Sequence, residues 1–360
     1  MKASWVLAAV GAVAIAAGIA LHERPAPGSR ISPVQHAGAP TPREQGVNRS
    51  TEAVLGISPG MARAARPGRW VRAPDPLRVE FERARNYAAL YQRLEAAGAS
   101  RSAEESYLLY RILQQCGRRP PQVKADPVEV TIRRRRALEG SLDPADPMRA
   151  ARLAAFDVVN HDRCEGLEGL HVDARQLRAA LESAAHAGSA AAQAEIVVDA
   201  LSERFQARDA SKPLKAADLP SIGDEQLETL ERAAASGDPD ALVRSVGAMQ
   251  MALANLSLHT SEGQDVRSDV MDYATRLVAC DLGSSCGSDM PEIAFYCEWR
   301  GQCGAGDYRD FLLFYKLSPA DSQLLQDYYQ RISRVAASGD WSGFTLVRGP
   351  AVATTVFVLR

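Results

Sequence analysis

The 360-residue sequence predicts an all-α protein, a series of helical hairpins with a short extended or β segment at its C-terminus. Three observations carry that expectation. Ala and Leu supply the apolar content while aromatic residues make up only 6%, a balance that suits closely packed helices better than a β-sandwich. Gly and Asp-Pro or Ser-Pro steps recur where helices would stop and start, and strand-like composition is confined to the last residues of the chain. The charge is nearly balanced, 42 Lys plus Arg against 44 Asp plus Glu, which argues against a chain that coats nucleic acid. Only five of the basic residues are Lys.

The elements follow in order. Ala3 to Leu21 is an apolar run interrupted only by Ser4 and preceded by Met1-Lys2. Residues 1–21 therefore read as an export signal or an N-terminal membrane anchor. Nineteen residues span about 28 Å as a helix, close to the ~30 Å hydrocarbon core, while Gly18-Ile19-Ala20 offers a small-x-small cleavage site. Both outcomes stay open. Residues 22–74 are rich in Pro, Ala, Gly and Arg without sustained periodicity and read as a disordered linker. Eight Arg against three Glu give the linker a charge of +5, which together with Lys2 leaves −8 of the net −2 for residues 75–360. Its basic stretch Met61 to Arg72, with Trp70, reads as a solvated spacer or as a segment able to lie on anionic lipid.

From residue 75 onward the chain reads as helices, about ten to thirteen between Leu77 and Ala337. After Asp75-Pro76 the positions Leu77, Phe81, Ala84, Ala88, Tyr91 and Leu94 trace one helical face, and Ser102 with Glu105 forms a capping box for the next helix. Asp126-Pro127, Asp146-Pro147 and Ser318-Pro319 give the same start signal. A looser internal repeat joins the end of an Ala-rich helix, a Gly and a polar start. It is clearest at Gly188, Gly237 and Gly339 and weaker at Gly98, Gly140 and Gly287, with successive intervals of 42, 48, 49, 50 and 52 residues. Around Gly237, Asp238 is placed to cap the following helix and Pro239 to occupy its first position. Ala351 to Leu359 has β-branched composition and reads as a hairpin arm or an extended tail.

The run Ala233-Ala-Ala-Ser-Gly237-Asp-Pro-Asp-Ala241 resembles the inter-helix turn of Sel1-like repeats, relatives of the tetratricopeptide repeat. Gly188 with Ala192 and Ile196, and Gly339 with Gly343 and Val347, keep that spacing. The sequence departs from the family in having Ser245-Val246 where a Leu-Gly pair is expected, with Gly247 one residue late, and in its longer period. The resemblance covers about three turns and implies an α-solenoid that binds proteins or peptides. It transfers no catalytic residue. A compact helical domain without repeats is the alternative.

Six cysteines, Cys116, Cys164, Cys280, Cys286, Cys297 and Cys303, follow the export signal and read as disulfides. The spacing of the last four favours Cys280–Cys286 and Cys297–Cys303, which leaves Cys116–Cys164; Cys280–Cys303 with Cys286–Cys297 is the competing arrangement. The five-residue gaps and an oxidising compartment disfavour a four-thiolate zinc site. His161, Cys164 and His171 read as polar residues beside a disulfide rather than as a metal group. The block Arg133–Arg136 reads as a solvated helix face, and Glu104-Glu105 as acids favoured at a helix start.

No nucleophile elbow, zinc helix, phosphate loop or dinucleotide fingerprint occurs in the sequence, so no cofactor and no catalytic residue is assigned. The sequence leads to the expectation of a periplasmic protein, membrane-tethered or released, that binds a protein or peptide partner of the bacterial envelope and no nucleic acid. A helical cell-wall hydrolase working through a single Glu, and a disulfide-braced structural protein without a ligand, are the alternatives.

Overall fold

The computed structural model describes residues 75–117, 127–206, 221–251 and 256–347, all within one compact unit. The apolar run 1–21, the linker 22–74 and the β-branched segment 351–359 lie outside the described residues. No helix among the described residues is long and apolar enough to cross a membrane.

The fold is all-α: thirteen α-helices and one short antiparallel strand pair are present among the described residues. Helix α1 (Pro76–Arg83) is followed by α2 (Ala88–Ala97) and α3 (Ala103–Cys116), and α4 (Pro127–Ser141) by α5 (Arg149–Asn160). Two hairpins come next, α6 (Ala174–His186) with α7 (Ala190–Gln206) and α8 (Asp224–Ala234) with α9 (Pro239–Met251). The chain continues through β1 (Ser257–Thr260), α10 (Ser268–Asp281), α11 (Pro291–Arg300), α12 (Tyr308–Tyr315), α13 (Pro319–Ser338) and β2 (Phe344–Val347).

The local signals place most helix ends. Ser102 and Glu105 exchange hydrogen bonds in a capping box at α3, and Ser318 with Asp321 repeats the device at α13. The Asp238 carboxylate accepts the Ala241 N–H at 2.9 Å at the start of α9. Gly237 and Gly339 sit at φ 77° and 69°, where a side chain is strained, so the chain can turn directly into or out of the neighbouring helix.

Several expectations are corrected. The apolar face from Leu77 to Leu94 belongs to two helices, broken because the Tyr87 N–H donates to the Arg163 carbonyl at 2.8 Å while its ring stacks on Phe81. Gly140 lies inside α4, and Gly287 is absent from the glycines with positive φ, so neither marks a turn of the Gly237 kind. After Asp146-Pro147 the helix starts only at Arg149, because Asp146 caps the Met148 N–H within a tight turn. Strand β1 was not signalled by the sequence; its four residues pair with β2 in the register Ser257 to Val347.

Packing runs along the chain: α3 lies on α6, α6 on α7, α7 and α8 on α9, α9 on α10 and α10 on α13. One core cluster joins α3 to α6–α9 through Tyr107, Leu181, Leu201 and Leu230, and a second joins α8–α10 to α11–α13 through Leu242, Val278, Phe311 and Ile332. The α4–α5 hairpin leaves this series, and α5 lies along α11, where Arg152 and Asn160 donate to the backbone and side chain of Glu298.

Three disulfides are present, Cys116–Cys164, Cys280–Cys286 and Cys297–Cys303, and no described cysteine is free. The first closes the base of the α4–α5 excursion, since Cys116 ends α3 and Cys164 follows α5, and both sulfurs are buried in the core of α1–α3. The second fastens the end of α10 to the loop that leads into α11.

Candidate functional site

Helix α1 packs on α3 and forms one wall of a cleft of about 340 Å3. The other walls come from α3 (Arg111, Gln115), the turn after α5 (Arg163), α9 (Asp240), α10 (Arg276) and the loop before α11 (Ser285).

Arg78 holds α1 in place. Its guanidinium lies 2.7 Å from Glu104 on α3, 3.0 Å from Asp238 at the cap of α9 and 3.0 Å from Asp240 on α9 itself, and the side chain is 5% exposed. Burial opposes its charge, but the three carboxylates outweigh that and raise its pKa further. Asp240 is shared: Arg111 reaches it at 3.3 Å, donates to the Tyr107 hydroxyl at 3.2 Å and lies over the rings of Phe81 and Tyr107. Burial works against ionisation of Asp240 as well, yet Arg111, Arg78 and Arg244 hold its carboxyl below the usual range. Glu104 responds oppositely: burial, with Asp238 and Asp240 beside it, overcomes the attraction of Arg78 and pushes its carboxyl up to about 7. One seam continues inward, where Arg244 pairs with the buried Glu195 at 2.9 Å.

Glu82, one helical turn beyond Arg78, accepts the Ser285 N–H at 2.6 Å and ties α1 to the loop fastened by Cys280–Cys286. Burial raises its pKa. Across the cleft, Arg163 donates to the Tyr87 hydroxyl at 3.1 Å and lies over that ring. The cleft thus combines fixed charges with aromatic faces and the loop Ser284-Ser285. The polar atoms come from at least five separate segments.

The residues prominent in the sequence lie partly in this cleft and partly outside it. Glu104, an acid favoured by the helix start, is also a partner of Arg78; Asp238 both caps α9, as its sequence position predicts, and grips Arg78. The Arg133–Arg136 block stays at the surface, where Arg133 pairs with Glu129 and Arg135 with Asp157. His161 accepts from Arg163 through Nε2 and lies at 3.3 Å from the Asp157 carbonyl through Nδ1; among the described residues no group of three or more His, Cys, Asp or Glu is placed to hold a metal ion. Arg78, Glu82, Arg111 and Asp240 carried no local signal, because their partners lie up to 203 residues away.

No protein-family model matches the chain, and no curated protein or solved structure is significantly similar to it.

Proposed function

We propose that the chain is an exported, helical-repeat scaffold of the bacterial cell envelope, tethered to the inner membrane by residues 1–21 or released by cleavage, that binds a protein or peptide partner in the cleft beside α1. The observation that carries this reading is the construction of the cleft from separate helices and loops, each giving a few polar or aromatic groups, as extended recognition by stacked hairpins requires. The hairpins α6–α7 and α8–α9, with turns at Gly188 and Gly237, are the units that fit the Sel1-like resemblance. The apolar start of the chain and the three disulfides support an oxidising compartment outside the cytoplasm.

The test is crosslinking in intact cells, comparing wild type with Arg163→Glu, which reverses one charge in the cleft and leaves the Arg78 contacts in place. A discrete partner captured by the wild type and lost in the variant supports the scaffold. Equal capture by both removes the cleft from the account.

A second reading rests on Glu82, a desolvated acid lining the cleft, which is the feature a single-carboxylate cell-wall hydrolase needs. Release of cell-wall fragments by the purified protein, abolished in Glu82→Gln, would establish that activity. Absence of release by the folded wild type ends this reading.

A further inference from the structure

Helix α1 has eight residues, too few to persist alone in water, and is held by three side chains spaced along one face. Arg78 enters the carboxylates of Glu104, Asp238 and Asp240; Phe81 is buried against Tyr87; Glu82 takes the Ser285 N–H. Only residues 84–87 join α1 to α2, and Arg85 and Asn86 are exposed. The helix is therefore bound in its groove much as a separate peptide would be.

The groove also requires an occupant of a particular charge. Without Arg78, Asp240 keeps Arg111, which it shares with Tyr107, and the more distant Arg244, while among the described residues no other ion pair reaches Glu104 or Asp238. Partly buried carboxylates stay ionised only beside a counter-charge and otherwise take up protons, so the groove favours a guanidinium in that place. A planar fork reaching several carboxylates at 2.7 to 3.0 Å is a task for Arg rather than Lys. We propose that α1 is an intrachain plug in a docking groove, and that the partner is a short helix bringing its own Arg, with an aromatic residue three positions on and an acid four positions on, which takes the place of Arg78, Phe81 and Glu82. This rests on the scaffold reading and extends its site, because displacing α1 removes one wall of the cleft and joins it to the groove under the helix. Because α1 is tethered, it competes at an effective concentration on the order of millimolar, so exchange favours a partner that binds more tightly or is itself held close by.

The probe is a fluorescent peptide of residues 75–86, alongside the same peptide with Arg78→Glu. Both are titrated into the full chain and into the full chain carrying Arg78→Ala with Phe81→Ala, which unseats the plug. The expected result is native-peptide binding at least tenfold tighter to the double variant than to the wild type, with no binding of the charge-reversed peptide. A second chain guards against misfolding of that variant: a specific protease site replaces residues 84–86, Arg78 is kept, and after cleavage the unlabelled native peptide should displace α1 while the reversed peptide should not. Equal binding of both peptides would overturn the reading of Arg but leave the groove as a peptide site. Failure of the native peptide to bind both the unseated and the cleaved chain would overturn the groove, while the scaffold reading would keep the cleft beside α1, which Arg163→Glu tests separately. Capture of a partner in cells while α1 stays protected from hydrogen exchange would overturn the plug alone.

Discussion

Asp238 does two things with its two carboxylate oxygens. One accepts the Ala241 N–H at 2.9 Å and starts α9, and the other meets Arg78 at 3.0 Å and seats α1. The first role is local and is read directly from Gly237-Asp-Pro; the second spans 160 residues and leaves no trace in the sequence around it. Residue-scale changes therefore separate cleanly. Gly237→Val should destabilise the protein by about 1 kcal/mol or more in urea unfolding, because a β-branched residue is strained at φ 77°. Glu104 gives a pH dependence. Facing Arg78, Asp238, Asp240 and Asp75, its folded carboxyl is raised from 4.5 to about 7, so protonation favours the fold. That contribution is complete below pH 4.5 and is lost as the pH rises through 7. Between pH 5 and 8 the wild type should lose about 1–3 kcal/mol more stability than Glu104→Gln. Parallel stability profiles for the two proteins would mean that Glu104 is not perturbed.

At the scale of elements, the sequence was legible where a helix is started or stopped by its own neighbours. The capping boxes at Ser102 and Ser318 and the glycine turns at 98, 188, 237 and 339 stand where their side chains or backbone freedom require them. It was not legible where a distant group decides. The break between α1 and α2 depends on a carbonyl 76 residues away, and β1 forms because β2 lies beside it. The disulfides act on this same level. Cys116–Cys164 closes a loop of 48 residues and should contribute about 4 kcal/mol in the chain-entropy model, against about 2 kcal/mol for each of the six-residue loops. Replacing Cys280 and Cys286 by Ser should thus cost about 2 kcal/mol of global stability, less than loss of Cys116–Cys164. It should nevertheless loosen the Ser285 contact with Glu82, seen as faster hydrogen exchange over residues 77–83 without a matching change in α6 and α7. Uniform exchange in all three helices would contradict that link.

For the molecule as a whole, the candidate site is the product of long-range packing. The helices were legible because their periodicity is local, whereas the cleft was not, because α1, α3, α9 and the α10–α11 loop meet only once the series of helices has closed. An oxidised chain should show no reactive thiol when titrated in denaturant, since all six cysteines are paired; six thiols would place the protein in a reducing compartment and remove the argument for export. The account turns most directly on whether Arg78 couples α1 to α9. A double-mutant cycle of Arg78→Ala and Asp240→Asn, followed by urea unfolding of the four chains, measures that coupling. The account predicts an interaction of about 1–3 kcal/mol, as expected for partly buried charges sharing one network, and additivity to within about 0.5 kcal/mol would contradict it.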